Sequence, residues 1–150
     1  MTILQYRPLA ILSLTVDYAG SRTVGETPAG NRRIVPVSGG IFTGDRLKGT
    51  VLPGGADWVL FRHDGVMAID VRLTLITDDD ALIYLSYQGR FLATPENMAR
   101  FGKGEPLDAA DYSLAMVAKF ECGDERYAWL NNVIAVATGE RTAAGPVYSI

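Results

Sequence analysis

The stretch "MAIDVRLTL", residues 67–75, holds the residues best placed for chemistry. On an extended chain Asp70, Arg72 and Thr74 share one face, and Ile69, Val71, Leu73 and Leu75 share the other. Same-face neighbours on a strand lie about 7 Å apart, so the Asp70 and Arg72 side chains can pair. Facing solvent, they are a surface ion pair worth little. Facing a barrel lumen, the arginine keeps the acid ionised, and the pair can act as a base and an anion holder. Asp70 and Arg72 are therefore candidate catalytic residues. Tyr84, on the strand that follows, is a candidate donor with an apolar body.

A second group surrounds the hinge "LPGGADW", residues 52–58, where Pro-Gly-Gly stops an apolar run just before Asp57 and Trp58. Taken alone, the hinge is a corner turn. In a small barrel such a corner also sets Asp57 and Trp58 at a rim, where a pocket opens. "NRRI" adds Arg32 and Arg33, one of which faces inward on a regular strand; Arg33 near the mouth would suit a carboxylate or phenolate. Glu121, Trp129 and Asn131 complete the candidate ligand-binding set, with Trp129 and Asn131 sharing a strand face.

Other chemistries find little support. His63 is the only histidine and Cys122 the only cysteine, so neither a zinc-type cluster nor an intrachain disulfide is available. "TDDDA" lacks the spacing of a calcium loop and reads as a solvated turn. "GGIFTG" lacks the lysine and helix of a phosphate loop. No metal or organic cofactor is expected. The net charge of -3, without a basic block, argues against nucleic acid as a partner. No apolar run is long enough to span a membrane, and none reads as a signal peptide, so a cytoplasmic location is expected.

The elements that must position these residues are mostly strands. Alternating or apolar runs occupy 9–16, 32–44, 46–52, 57–62, 66–77, 81–91, 113–121, 129–139 and 146–150, with an Asp64-Gly65 hairpin signal and an acidic turn at Asp78–Asp80. Short strands at this spacing predict an all-β sandwich or barrel. One segment differs. Thr94 as N-cap, Pro95 in the first turn and Gly102 as a stop predict a short helix at about 95–101. No repeat or linker divides the 150 residues, so a single domain, 1–150, is expected.

"RRIVPVSGG", "LPGGADW" and "TDDDALIY", followed by "FECGDERYAWLNNVIAVATG" at 120–139, resemble the blocks of the bacterial and fungal family labelled domain of unknown function 3237, the UPF0311-like proteins. Cys122, Asp80 and Asn132 depart from the common pattern without breaking a block. The resemblance implies a closed antiparallel β-barrel of calycin or allene-oxide-cyclase type, commonly oligomeric. It implies no general reaction. The apolar strand surface of "VIAVA" and "LAILSL" points the same way, to a homodimer or larger.

Two classes of function fit. One is a cofactor-independent isomerase, cyclase or lyase acting on a small aromatic or carbonyl compound, with a carboxylate base and Arg or Tyr stabilisation. The other is a non-catalytic lipocalin-like carrier or a solid structural module. The lumen discriminates: an enzyme needs a carboxylate and a donor converging inside it, a carrier needs an apolar chamber, and a module leaves no chamber.

Overall fold

The computed structural model describes residues 1–150. The strands run β1 (Ile11–Val16), β2 (Arg22–Thr27), β3 (Gly30–Thr43), β4 (Lys48–Val51), β5 (Gly55–Asp57), β6 (Leu60–Phe61), β7 (Met67–Thr77), β8 (Leu82–Ala93), β9 (Tyr112–Cys122), β10 (Ile134–Arg141) and β11 (Pro146–Ser149). Helix α1 spans Pro95–Gly102, and 3-10 turns occupy Ala109–Asp111 and Glu125–Asn132. No helix is long and apolar enough to cross a membrane.

The strands close into an antiparallel β-barrel of 8 strands. Around the wall the order is β1, β11, β10, β9, β8, β7, β4 and β3, and β1 pairs with β3 to shut the circle. The short β5 and β6 continue the β4 position along the wall, each pairing with β3 on one side and β7 on the other. β2 folds as an edge ribbon on β3. The register of β1 against β3 shifts between Thr15 and Val16, where Ser38 has no partner, so a bulge bends the wall beside the Gly39-Gly40 pair. Gly54 in the hinge has φ +109, a left-handed turn conformation that a side chain would strain, and it lets β4 hand over to β5.

Strand parity decides what fills the barrel. Residues 69, 71, 73 and 75 of β7 are buried, as are 83, 85, 87 and 91 of β8 and 116, 118 and 120 of β9. One end is solid. Phe42, Leu12, Leu73, Leu75, Ile83 and Leu85 are almost fully buried there, and Leu130, fully buried, packs into the same core from the turn over Glu125–Asn132. Burying each such side chain contributes roughly 1.5–3 kcal/mol. The other end is lined by Met67, Phe91, Leu114 and Tyr112 and is roofed by α1 and the segment after it.

The expected helix is present almost to the residue: Thr94 Oγ1 accepts from the Asn97 amide at 3.2 Å and Pro95 opens the first turn. The expected strand over 129–139 is a correction. Its first part is the 3-10 turn Glu125–Asn132, and the strand begins at Ile134. The Asp124 carboxylate caps that turn by accepting from the Arg126 amide at 2.9 Å, and the turn lets Leu130 reach the core. β2, too polar to read as a strand, is an addition. On the outer wall Val117, Ile134 and Val136 are exposed side by side.

Candidate functional site

The chamber lies inside the open half of the barrel. Its volume is about 810 Å³, and its walls are mainly apolar, from Val35, Val37, Ile69, Val71 and Phe91 among others. Register places Asp57 in that wall. Asp57 stands opposite Val71 on one side and Val35 on the other, both lumen residues, so its side chain shares their face. β5 ends there. The Asp70 amide donates to Asp57 Oδ1 at 3.1 Å, and the Trp58 amide donates to the Asp70 carbonyl at 2.9 Å. Asp57 Oδ2 accepts no hydrogen bond. Burial pushes the Asp57 carboxyl up to about 6, against the lowering effect of the Asp70 amide; the Asp70 charge adds to the rise and the Arg32 charge opposes it.

Two phenols face the same space. Tyr87 comes from β8 directly opposite Val71, and its hydroxyl is buried with no hydrogen-bond partner. Tyr148 comes from β11, with its ring edge-on to Tyr87 at a centroid distance of 5.4 Å. Gly139 stands opposite Tyr148 in the sheet; a Cβ there would sit 2.5 Å from Tyr148 Cδ1, so only glycine leaves the ring its place. Burial raises both phenols above their ordinary range. Tyr148 and then the Asp57 charge raise Tyr87 further, while for Tyr148 the Asp57 charge raises and the contact with Tyr87 lowers. Both stay protonated at neutral pH and can donate.

The mouth is built from three segments: α1 with the chain to Leu107, the β10–β11 hairpin, and the connection from β1 to β2. Arg141 ties them together. Its Nη1 donates to the Phe101 carbonyl at 2.6 Å, and its guanidinium lies over the rings of Phe101 and Tyr18. Phe91 stacks on Tyr112 at 5.1 Å and contacts Phe101 at 4.8 Å, giving the mouth aromatic walls.

The structure divides the residues expected from the sequence. Asp57 and Arg33 line the chamber. Arg33 is the inward member of its pair; Arg32 faces out and donates to the Trp58 carbonyl. Trp58 also faces out, with the Arg72 guanidinium 5.2 Å from its ring centre. For Asp70, Arg72 and Tyr84 the placement in the lumen is corrected. All three sit on the outer wall, because Ile69, Val71, Leu73 and Leu75 occupy the inner one. Asp70 and Arg72 form the solvent-facing pair, at 3.5 Å. Tyr84 is exposed opposite Glu121. Glu121 and Asn131 line a shallow outer groove with Lys119 and Ser86, not the chamber. Asn131 serves the local fold instead, because its amide accepts from the Cys122 amide at 2.8 Å and donates to the Cys122 carbonyl at 2.9 Å. Trp129 lies under the Arg46 guanidinium at 3.9 Å. Tyr87 and Tyr148 are additions to the expected set. Parity counted from Ile83 and Leu85 places Tyr87 inside and Tyr84 outside.

The fold is thus a closed β-barrel with one solid half and one chamber that holds a carboxylate and two phenols. The chain belongs to the family described as Protein of unknown function (DUF3237), whose model matches residues 5–150. It is 34% identical over 133 residues to a UPF0311 protein of Bradyrhizobium diazoefficiens, covering 89% of this chain and 87% of that one. Among solved structures it is similar to a beta-barrel like protein of Acinetobacter baumannii, with 36% identity, a TM-score of 0.83, and coverage of 97% of this chain and 92% of that one. It also shares its fold with a structure described as an enzyme from Penicillium herquei, at 22% identity and a TM-score of 0.67, covering 100% and 99% of the two chains.

Proposed function

We propose that the chain is a cofactor-independent enzyme of the isomerase, cyclase or lyase type, acting on a small aromatic or carbonyl compound inside the barrel. One observation carries this reading: a half-buried carboxylate with a free oxygen shares an apolar chamber with a buried phenol that has no partner. Asp57 is the base. With its carboxyl near 6 it is mostly ionised at neutral pH and still returns a proton readily. Tyr87, with Tyr148 beside it, donates to the oxygen on which negative charge develops as Asp57 takes a proton from carbon or hydroxyl. Asp57 then returns the proton at another position, so isomerisation or ring closure balances with no further reactant. These residues replace Asp70 and Tyr84 in the roles that the strand pattern suggests for them. The Penicillium protein's description as an enzyme agrees with this reading, although the likeness to it is one of fold.

The competing reading is a carrier, favoured by the apolar lining. A thermal-shift screen of aromatic and carbonyl compounds finds binders, and proton NMR in heavy water then follows their exchangeable C–H positions. An enzyme accelerates exchange, and Asp57→Asn keeps binding while losing it. Tight binding without exchange identifies a carrier. Equal exchange by Asp57→Asn removes Asp57 as the base.

A further inference from the structure

Arg33 is the one guanidinium in the chamber wall with no acceptor. It makes no ion pair and its side chain donates no hydrogen bond, whereas Arg141, the other arginine there, is spent on the Phe101 carbonyl. Of the acids at the mouth, Glu105 pairs with Arg100 at 3.6 Å, and Glu140 stands near Tyr112 on the opposite wall. The Arg33 guanidinium rests over the Phe61 ring, 4.9 Å from its centre. The ring holds it on the mouth side and leaves its N–H edge open.

Its position relative to Asp57 follows from register. Val35 pairs with Asp57, and Arg33 is the next residue of β3 on the same face. That step is about 7 Å along the strand, toward the mouth. Moving outward, the chamber thus presents a base with phenol donors, an aromatic wall of Phe91, Phe61 and Tyr112, and an unpaired cation.

Resting on the reading of the chamber as a ligand site, we propose that its ligand is a ring-bearing organic anion. A carboxylate or phenolate sits on Arg33 at the mouth, the ring lies against the aromatic wall, and the reacting position lies deeper by roughly one ring's length, at Asp57 and Tyr87.

Two fluorescent probes differing by one charged group test this. 1-Anilinonaphthalene-8-sulfonate is an anion, and N-phenyl-1-naphthylamine is the same skeleton without the sulfonate. Wild type should bind the sulfonate at least tenfold more tightly. Arg33→Met should lose that tenfold while leaving the neutral probe unchanged, and Arg33→Lys should recover part of it. Arg33 is exposed, so the variants should fold; circular dichroism confirms that. Val35→Trp, which fills the chamber, should remove both probes. If Arg33→Met binds both probes as wild type does, or loses both equally, the anion assignment is wrong and the chamber stands. If wild type binds neither probe, or Val35→Trp keeps both, the chamber itself is not the ligand site and both readings fall.

Discussion

Asp57 and Asp70 are joined by the Asp70 amide donating to the Asp57 carboxylate, and their side chains lie on opposite sides of one wall. Asp70 is the partner of Arg72 in water, a pair that a strand surface tolerates anywhere. Asp57 sits inside, among Val35, Val37 and Val71, with one oxygen bound to an amide and the other free. The same side chain pairs with an arginine in solvent in one place and is a carboxyl pushed up to about 6 by burial in the other. The lesson is that charge pairing on a strand is weak evidence of a site. A carboxylate kept in an apolar chamber with no ion-pair partner costs stability, and acids shifted by burial in this way cluster at functional sites.

The largest test of that contrast is Asp57→Asn. An acid whose folded-state value is raised from 3.8 to about 6 binds its proton more tightly in the folded state than in the unfolded one. Folding is therefore favoured at low pH, and that advantage is lost as pH rises from about 4 through about 6. At pH 7 the penalty is about 3 kcal/mol, because each pH unit separating the two values is worth about 1.36 kcal/mol. Asparagine can still accept from the Asp70 amide and carries no charge. Urea denaturation should find the variant about 2–3 kcal/mol more stable than wild type at pH 7, and nearly equal to it below pH 4. A less stable Asp57→Asn at pH 7 would make Asp57 a structural acid and erase the contrast.

Much of this was legible in the sequence, unevenly. The hinge read correctly as a corner because Pro-Gly-Gly needs a turn, but the rim expected there is corrected: Asp57 stands deeper in the chamber wall, opposite Val35 and Val71, and Trp58 faces out. "NRRI" forced one arginine inward because parity allows no other outcome. The two faces of β7 were separable by counting. Which face pointed in was also written there: a row of Ile, Val, Leu and Leu fills a core better than Asp, Arg and Thr. The tyrosines were harder. A buried Tyr87 reads like any aromatic core residue until Tyr148, distant along the chain, is brought against it by closure of β11 on β1. Long-range closure leaves no local pattern. The turn at Glu125–Asn132 was hidden for another reason. "WLNNVIAVA" alternates well enough to pass for a strand, and the cap at Asp124 outweighs it.

Tyr87 offers a second comparison, against Tyr84 on the outer wall. The buried hydroxyl has given up water without gaining a partner, which costs about 1–3 kcal/mol. Tyr87→Phe keeps the ring on Tyr148 and removes only that cost, so the free protein should gain about 1 kcal/mol of stability while ligand exchange falls. Tyr84→Phe, at an exposed position, should change neither. A destabilised Tyr87→Phe would mean that the hydroxyl is held within the protein and is not open to a ligand.

The smallest expected effect belongs to Arg72→Met, and its smallness is the point. The side chain is 46% exposed and that of Asp70 31%, so water screens their attraction at 3.5 Å. The change also removes the guanidinium from the face of Trp58, but methionine keeps an apolar stem against the ring. The loss should be about 0.5 kcal/mol by urea denaturation, and the ion-pair part of it should vanish in about 1 M salt. Probe and ligand binding in the chamber should be unaltered, because Arg72 stands behind the wall that Val71 and Leu73 present to the interior. If Arg72→Met instead costs more than about 2 kcal/mol, or abolishes ligand binding as Arg33→Met should abolish anion preference, the outer face carries the site and the inner chamber does not.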